Sequence, residues 1–68
     1  MDTVIVMIPH LGGGWGYHRA YHCTLTEPQC QYIKALGASI EHRDDTFWIR
    51  SNDPRKIEEY IDRLMEDD

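Results

Sequence analysis

The sequence predicts a small α+β domain of element order ββαββα. The expected architecture is a four-stranded antiparallel sheet with two helices on one face, a circularly permuted ferredoxin-like arrangement. Three observations carry the prediction. A run of β-branched and apolar residues opens the chain, a capping box precedes a helix in its middle, and a strict helical repeat of apolar residues closes it. At 68 residues and 8.0 kDa the chain makes one domain, residues 1–68. A chain this short buries only about 60% of the surface its unfolded form exposes, so its core is marginal. No repeat, linker or low-complexity segment divides it.

Residues 3–8, Thr-Val-Ile-Val-Met-Ile, are apolar or β-branched throughout and end at Pro9. Both faces are apolar, which predicts a central strand or one whose second face is covered. Next comes Pro-His-Leu-Gly-Gly-Gly-Trp-Gly over residues 9–16, which holds four of the five glycines. It reads as the long, flexible connection of the first hairpin. Trp15 is its anchor, either gripping a partner or folding back over the sheet.

Residues 17–25 alternate as a strand, with Tyr17, Arg19, Tyr21, Cys23 and Leu25 on one face and His18, Ala20, His22 and Thr24 on the other. The spacing of Tyr17, Ala20 and Tyr21 also allows a helix. Thr26-Glu27-Pro28-Gln29 is a capping box with proline in the first turn. The helix that follows presents Cys30, Ile33 and Leu36, and Gly37 is its natural terminator.

Residues 38–43 and 46–50 form a hairpin about Asp44-Asp45, with 42 facing 47, 41 facing 48, 40 facing 49 and 39 facing 50. Ile40, His42, Phe47 and Ile49 then face the core. Ser39, Glu41, Arg43, Thr46, Trp48 and Arg50 form the opposite surface. Asp53-Pro54 opens the last helix. Ile57, Tyr60, Ile61, Leu64 and Met65 follow at i, i+3, i+4, i+7 and i+8.

Net charge is −5, and its distribution is uneven. Residues 1–34 balance Asp2 and Glu27 against Arg19 and Lys34, while residues 35–68 set ten acids against five bases. Such a surface opposes nonspecific binding of nucleic acid and attracts a basic protein. The first residues lack the basic flank and apolar length of a signal peptide, and no run is long enough to span a membrane. Two cysteines, Cys23 and Cys30, make no disulfide framework, so the expected compartment is a reducing cytoplasm.

Tests of catalytic and cofactor motifs fail. The glycine stretch lacks the lysine and hydroxyl of a phosphate loop, and the dinucleotide fingerprint would need glycine where Tyr17 stands. On a strand, His18 and His22 lie roughly 13 Å apart, too far to share a zinc ion, although a helix would place them on one face. His22-Cys23-Thr24 has the His-x-Thr spacing of two-histidine phosphoesterases, but no second copy accompanies it. The expectation is therefore no enzyme, no cofactor and no metal.

The architecture leaves one sheet face without helices. Trp48, Arg43, Arg50 and Glu41 project there, joined by His18, His22 and Thr24 if Cys23 and Leu25 point inward. Trp with Arg on a partly apolar surface is the composition of a protein-interface core. A second copy could also cover this face. On the last helix, Glu58, Asp62 and Glu66 form an acidic stripe at i, i+4 and i+8, followed by Asp67 and Asp68. Like charges at that spacing and acids at a helix C-terminus are both mildly unfavourable, which suggests a use for them.

The sequence thus reads as a small acidic interaction protein that inhibits by occupancy. Glu58, Asp62 and Glu66 would engage the basic surface of a nucleic-acid-binding partner, with Trp15, Trp48, Arg43 and Arg50 completing the contact. In size and charge the chain is similar to very small acidic virus-encoded inhibitors of host defence, anti-CRISPR proteins among them, a likeness that rests on no motif. The alternative is a single-stranded nucleic-acid binder stacking bases on Trp48 beside Arg43 and Arg50. A metal- or thiol-dependent enzyme is a third reading.

Overall fold

The computed structural model describes residues 2–66. Asp67 and Asp68, the end of the predicted acidic stripe, lie outside the described residues. The elements run β1 (Thr3–Pro9), β2 (Trp15–His22), α1 (Glu27–Ala35), β3 (Ser39–Arg43), β4 (Thr46–Arg50) and α2 (Arg55–Glu66).

The four strands form one sheet of order β2-β1-β4-β3. β1 pairs antiparallel with β2, and β3 antiparallel with β4, but β1 and β4 run parallel. The sheet is therefore mixed, which corrects the expected antiparallel arrangement. The cause is topological. Each hairpin reverses the chain once, and the α1 crossover brings β3 back in the direction of β2. The inner strands of the two hairpins must then run the same way. The unbroken apolar run of β1 suits such a central, parallel-paired position.

Alternation sorts the side chains. Val4, Val6, Tyr21, Phe47 and Ile49 point to the helical layer and are buried there with Leu25, Ile33, Ile57 and Ile61. The two helices touch through Tyr32 and Tyr60, whose ring centroids are 4.5 Å apart. Each large aliphatic chain fully buried in this way contributes about 1.5–3 kcal/mol.

The local signals are realised closely. Thr26 Oγ1 accepts from the Gln29 amide at 3.4 Å while the Thr26 amide donates to Gln29 Oε1 at 2.8 Å, so the box caps α1. At the other end Gly37 has φ +98°, and its amide donates to the Lys34 carbonyl at 3.0 Å. Asp53 Oδ1 accepts from the Arg55 amide at 3.3 Å at the start of α2. The β3–β4 register is the expected one, and Asp44 and Asp45 both adopt positive φ, 53° and 60°. That is the backbone a two-residue hairpin turn demands.

Two expectations about the first hairpin are corrected. The glycine stretch is a tight turn: the Gly13 amide donates to the His10 carbonyl at 3.1 Å, and the His10 amide donates to the Gly14 carbonyl at 3.0 Å. Positive φ at Gly13 (100°) and Gly14 (77°) lets the chain reverse in so few residues. Second, a bulge shifts the β1–β2 register. Val6 faces Arg19 while Met7 faces Tyr17, leaving His18 as the extra residue. Tyr17 is thereby placed on the face opposite to Arg19 and Tyr21, against the simple alternation.

Candidate functional site

The face of the sheet away from the helices is built from alternate residues of the four strands, with the alternation of β2 broken once at the bulge. Thr3, Ile5 and Met7 of β1 lie between Tyr17, Ala20 and His22 of β2 and Thr46, Trp48 and Arg50 of β4. Ser39, Glu41 and Arg43 of β3 complete the outer edge. Among the described residues no helix covers this face. Ile5, Met7 and Trp48 are half-buried by their neighbours alone, and Tyr17 is 70% exposed.

Trp48 sits on an inner strand, opposite Ile5 on one side and Glu41 on the other. The guanidinium of Arg43 lies over its ring at 5.5 Å and also pairs with Glu41 at 3.3 Å. The guanidinium thus makes a cation–π contact with the indole, and the Arg43 charge is partly balanced in place by Glu41. Its Nε1–H is shielded and has no acceptor among the described residues. Three predicted contact residues, Trp48, Arg43 and Arg50, therefore share one surface, and His22 joins them opposite Thr3.

Trp15 belongs to the same face but to a different part of it. Pairing of β1 with β4 ends at Met7 and Arg50, whereas pairing with β2 continues through Ile8 and Pro9 to Gly16 and Trp15. Beyond Met7 the first hairpin is a two-stranded arm, reaching roughly 13 Å farther at about 3.3 Å per residue. Leu11 at its tip is fully exposed, Trp15 is 43% exposed, and the open space around Gly12, Gly13 and Gly14 leaves the tip backbone bare. Gly16 is buried under the His10 ring, which occupies the space a side chain would need. No Asp, Glu, Lys or Arg occurs from Thr3 to Tyr17, so the arm and its root are uncharged apart from His10. The register of the bulge and the end of β4 are tertiary facts. The absence of charge over this window was the sequence signal for the arm.

The acidic stripe lies on α2, away from the open face, and two of its members meet residues of β2. His18 Nδ1 and Glu58 Oε2 are 2.5 Å apart, with the Glu58 side chain 13% exposed. Arg19 meets Asp62 at 3.6 Å. Arg19 lies on the helical side by simple alternation with Tyr21, and the bulge adds His18, the extra residue, beside it toward α2. His18 is thus turned from the open face toward α2, where Glu58 is largely covered while Asp62 stays 42% exposed. Glu66 is exposed near the end of α2. Thr24 lies on the connection after β2, where it lines a cleft of about 390 Å³ with Asp2, Glu27, Cys30 and His42. A second cleft, of about 380 Å³, is bordered by the two β2–α2 ion pairs.

The chemistry of these groups is quiet. Cys23 and Cys30 are free thiols, and burial pushes both up, away from the thiolate form that a nucleophile or metal ligand needs. His42 is stacked flat on Phe47 at 4.0 Å and lies 3.5 Å from Asp2. Among the described residues, no three His, Cys, Asp or Glu side chains converge as metal ligands would. Among the described residues no helix is long and apolar enough to cross a membrane. No family model, curated protein or solved structure matches the chain.

Proposed function

We propose that this protein is a non-enzymatic binding protein that engages a partner protein through the open sheet face and the arm. The observation that carries this reading is the concentration of Trp48, Trp15, Tyr17, Ile5 and Met7 on one face without a covering layer. Contiguous exposed apolar area with aromatic and arginine side chains marks interaction surfaces, and Trp, Tyr and Arg are the residues that dominate their energetics. Net charge of −5 favours a neutral or basic partner. Contact made in this way suits inhibition by occupancy, with the sheet face rather than the α2 carboxylates supplying the grip.

A photo-crosslinking amino acid at position 15 or 48, compared with one at Glu59 on α2, tests the reading in an extract of the source cells. Protein adducts are expected from 15 and 48 and not from 59. Adducts from position 59 alone would contradict it.

Single-stranded nucleic acid is the second reading, favoured by Arg43 over Trp48 and by Arg50 on the same surface. Bases stack on such aromatic–arginine platforms. It predicts salt-sensitive binding of a fluorescent oligothymidine that Trp48→Ala abolishes. An oligothymidine that stays free at low salt removes it.

A further inference from the structure

We infer that the open face is covered, when no other partner is present, by a second copy of this chain packed sheet to sheet about a twofold axis. The inference rests on reading this face as the binding surface and names its occupant. Four observations lead to it.

The first is area. The molecule's extents are 38 × 24 × 18 Å, and a face spanning its two longer dimensions is of the order of the roughly 800 Å² that each partner contributes to a standard interface. The second is charge. The protein as a whole carries −5, which drives copies apart, yet the open face carries only Glu41 against Arg43 and Arg50. This is the side on which two copies meet with least repulsion.

The third is the state of the edges. β2 is interrupted by a bulge and β3 is five residues long, both features that discourage edge-to-edge pairing. Association through the face is left as the route. The fourth is the arm. A two-stranded ribbon is marginal in water by itself. Here Pro9 and Trp15 of the arm lie on the same side of the ribbon as the open face. Sheet-to-sheet packing therefore lays each arm's Trp15 side on the other copy. A twofold contact is self-complementary, so the bare face and the unsupported arm of each copy cover those of the other.

Sedimentation equilibrium from micromolar to millimolar concentration, with amide chemical shifts followed on dilution, tests this. The expected result is a reversible species of twice the 8.0 kDa chain mass. Dilution shifts should centre on Ile5, Met7, Tyr17 and Trp48 and spare α1 and α2. Tyr17→Glu alters an exposed side chain and leaves the core untouched, so it should keep the monomer's circular dichroism. It should weaken association about tenfold or more, as loss of an interface aromatic does. Trp48→Ser is the second variant, with the same expected loss.

A wild-type chain that stays monomeric at millimolar concentration overturns the dimer. It leaves the binding face intact if positions 15 and 48 still crosslink to another protein. A dimer whose shifts map to α2, with Ile5, Met7, Tyr17 and Trp48 unmoved, overturns the sheet-to-sheet dimer, whereas failure of the reading beneath it would show as crosslinks from position 59 alone.

Discussion

The hydroxyl of Tyr21 is buried opposite Val4 and has no hydrogen-bond partner among the described residues. Burial first, and then the charge of Asp62, push its pKa from 10.0 up to about 12, with Arg19 pulling the other way. A phenol is neutral until it loses its proton, so the folded state holds that proton more tightly than the unfolded chain does. Stability from this group is complete below pH 10 and declines as pH rises from 10 through about 12. Tyr21→Phe should therefore move the alkaline unfolding midpoint, followed by circular dichroism, to higher pH. At neutral pH it should cost less than about 1 kcal/mol, because the hydroxyl it removes is unpaired. An unchanged alkaline transition would show that Tyr21 is not the group concerned.

The same scale accounts for α2 against β2. His18 and Glu58 form a short contact across 40 residues of chain, between a ring that is 40% exposed and a carboxylate that is 13% exposed. Solvent screens part of that interaction. His18→Ala and Glu58→Gln should each lower stability by about 0.5–1.5 kcal/mol, and a double-mutant cycle should show that the two losses do not add. Additive losses would mean the contact contributes nothing to holding the helix.

At the scale of elements, the glycine turn separates backbone requirement from side-chain space. Nothing lies within 4 Å of a Cβ built at Gly12 or Gly13, but only Gly13 has a positive φ, of 100°. Gly13→Ala should cost about 1–2 kcal/mol by urea denaturation. Gly12→Ala should be neutral or slightly stabilising, since it restricts the unfolded chain without strain. Equal effects would imply a mobile turn. The turn also supports the arm, so Gly13→Ala should weaken any contact made by Trp15.

The elements that proved legible were those written in local chemistry. Thr26 and Gln29 capped their helix because each needs only a partner three residues away, and Asp44-Asp45 fixed the register of its hairpin. The Ile57, Ile61 stripe was buried for the same reason. The bulge was not legible, because one extra residue leaves no mark in an alternating pattern. It moved Tyr17 to the open face and carried His18 to α2. The pairing of Glu58 with His18 and of Asp62 with Arg19 was likewise out of reach, because local spacing along the helix does not reveal partners on β2.

The molecule as a whole is a two-layer structure with only one layer's faces fully used. The helices cover one side of the sheet, and among the described residues the acids lie mostly on the helices and turns, with Glu41 on the opposite side. A chain of 68 residues has little core to spare, yet it keeps two tryptophans and an exposed tyrosine on its bare face and arm. An occupant of that face that bound the folded chain and not the unfolded one would stabilise the protein by linkage. This is the surface on which we propose that a partner binds.

Hydroxyl-radical footprinting tests that claim directly, because reactive side chains report from both sides of the molecule. Met7, Trp15, Tyr17 and Trp48 lie on the open face and arm, whereas Tyr32 and Met65 are exposed on the helices. The purified protein at low concentration would be compared with the same protein in an extract of its source cells. Protection of Met7, Trp15, Tyr17 and Trp48 with Tyr32 and Met65 unchanged is the predicted result. Protection of Tyr32 and Met65, with the open face still reactive, would contradict it.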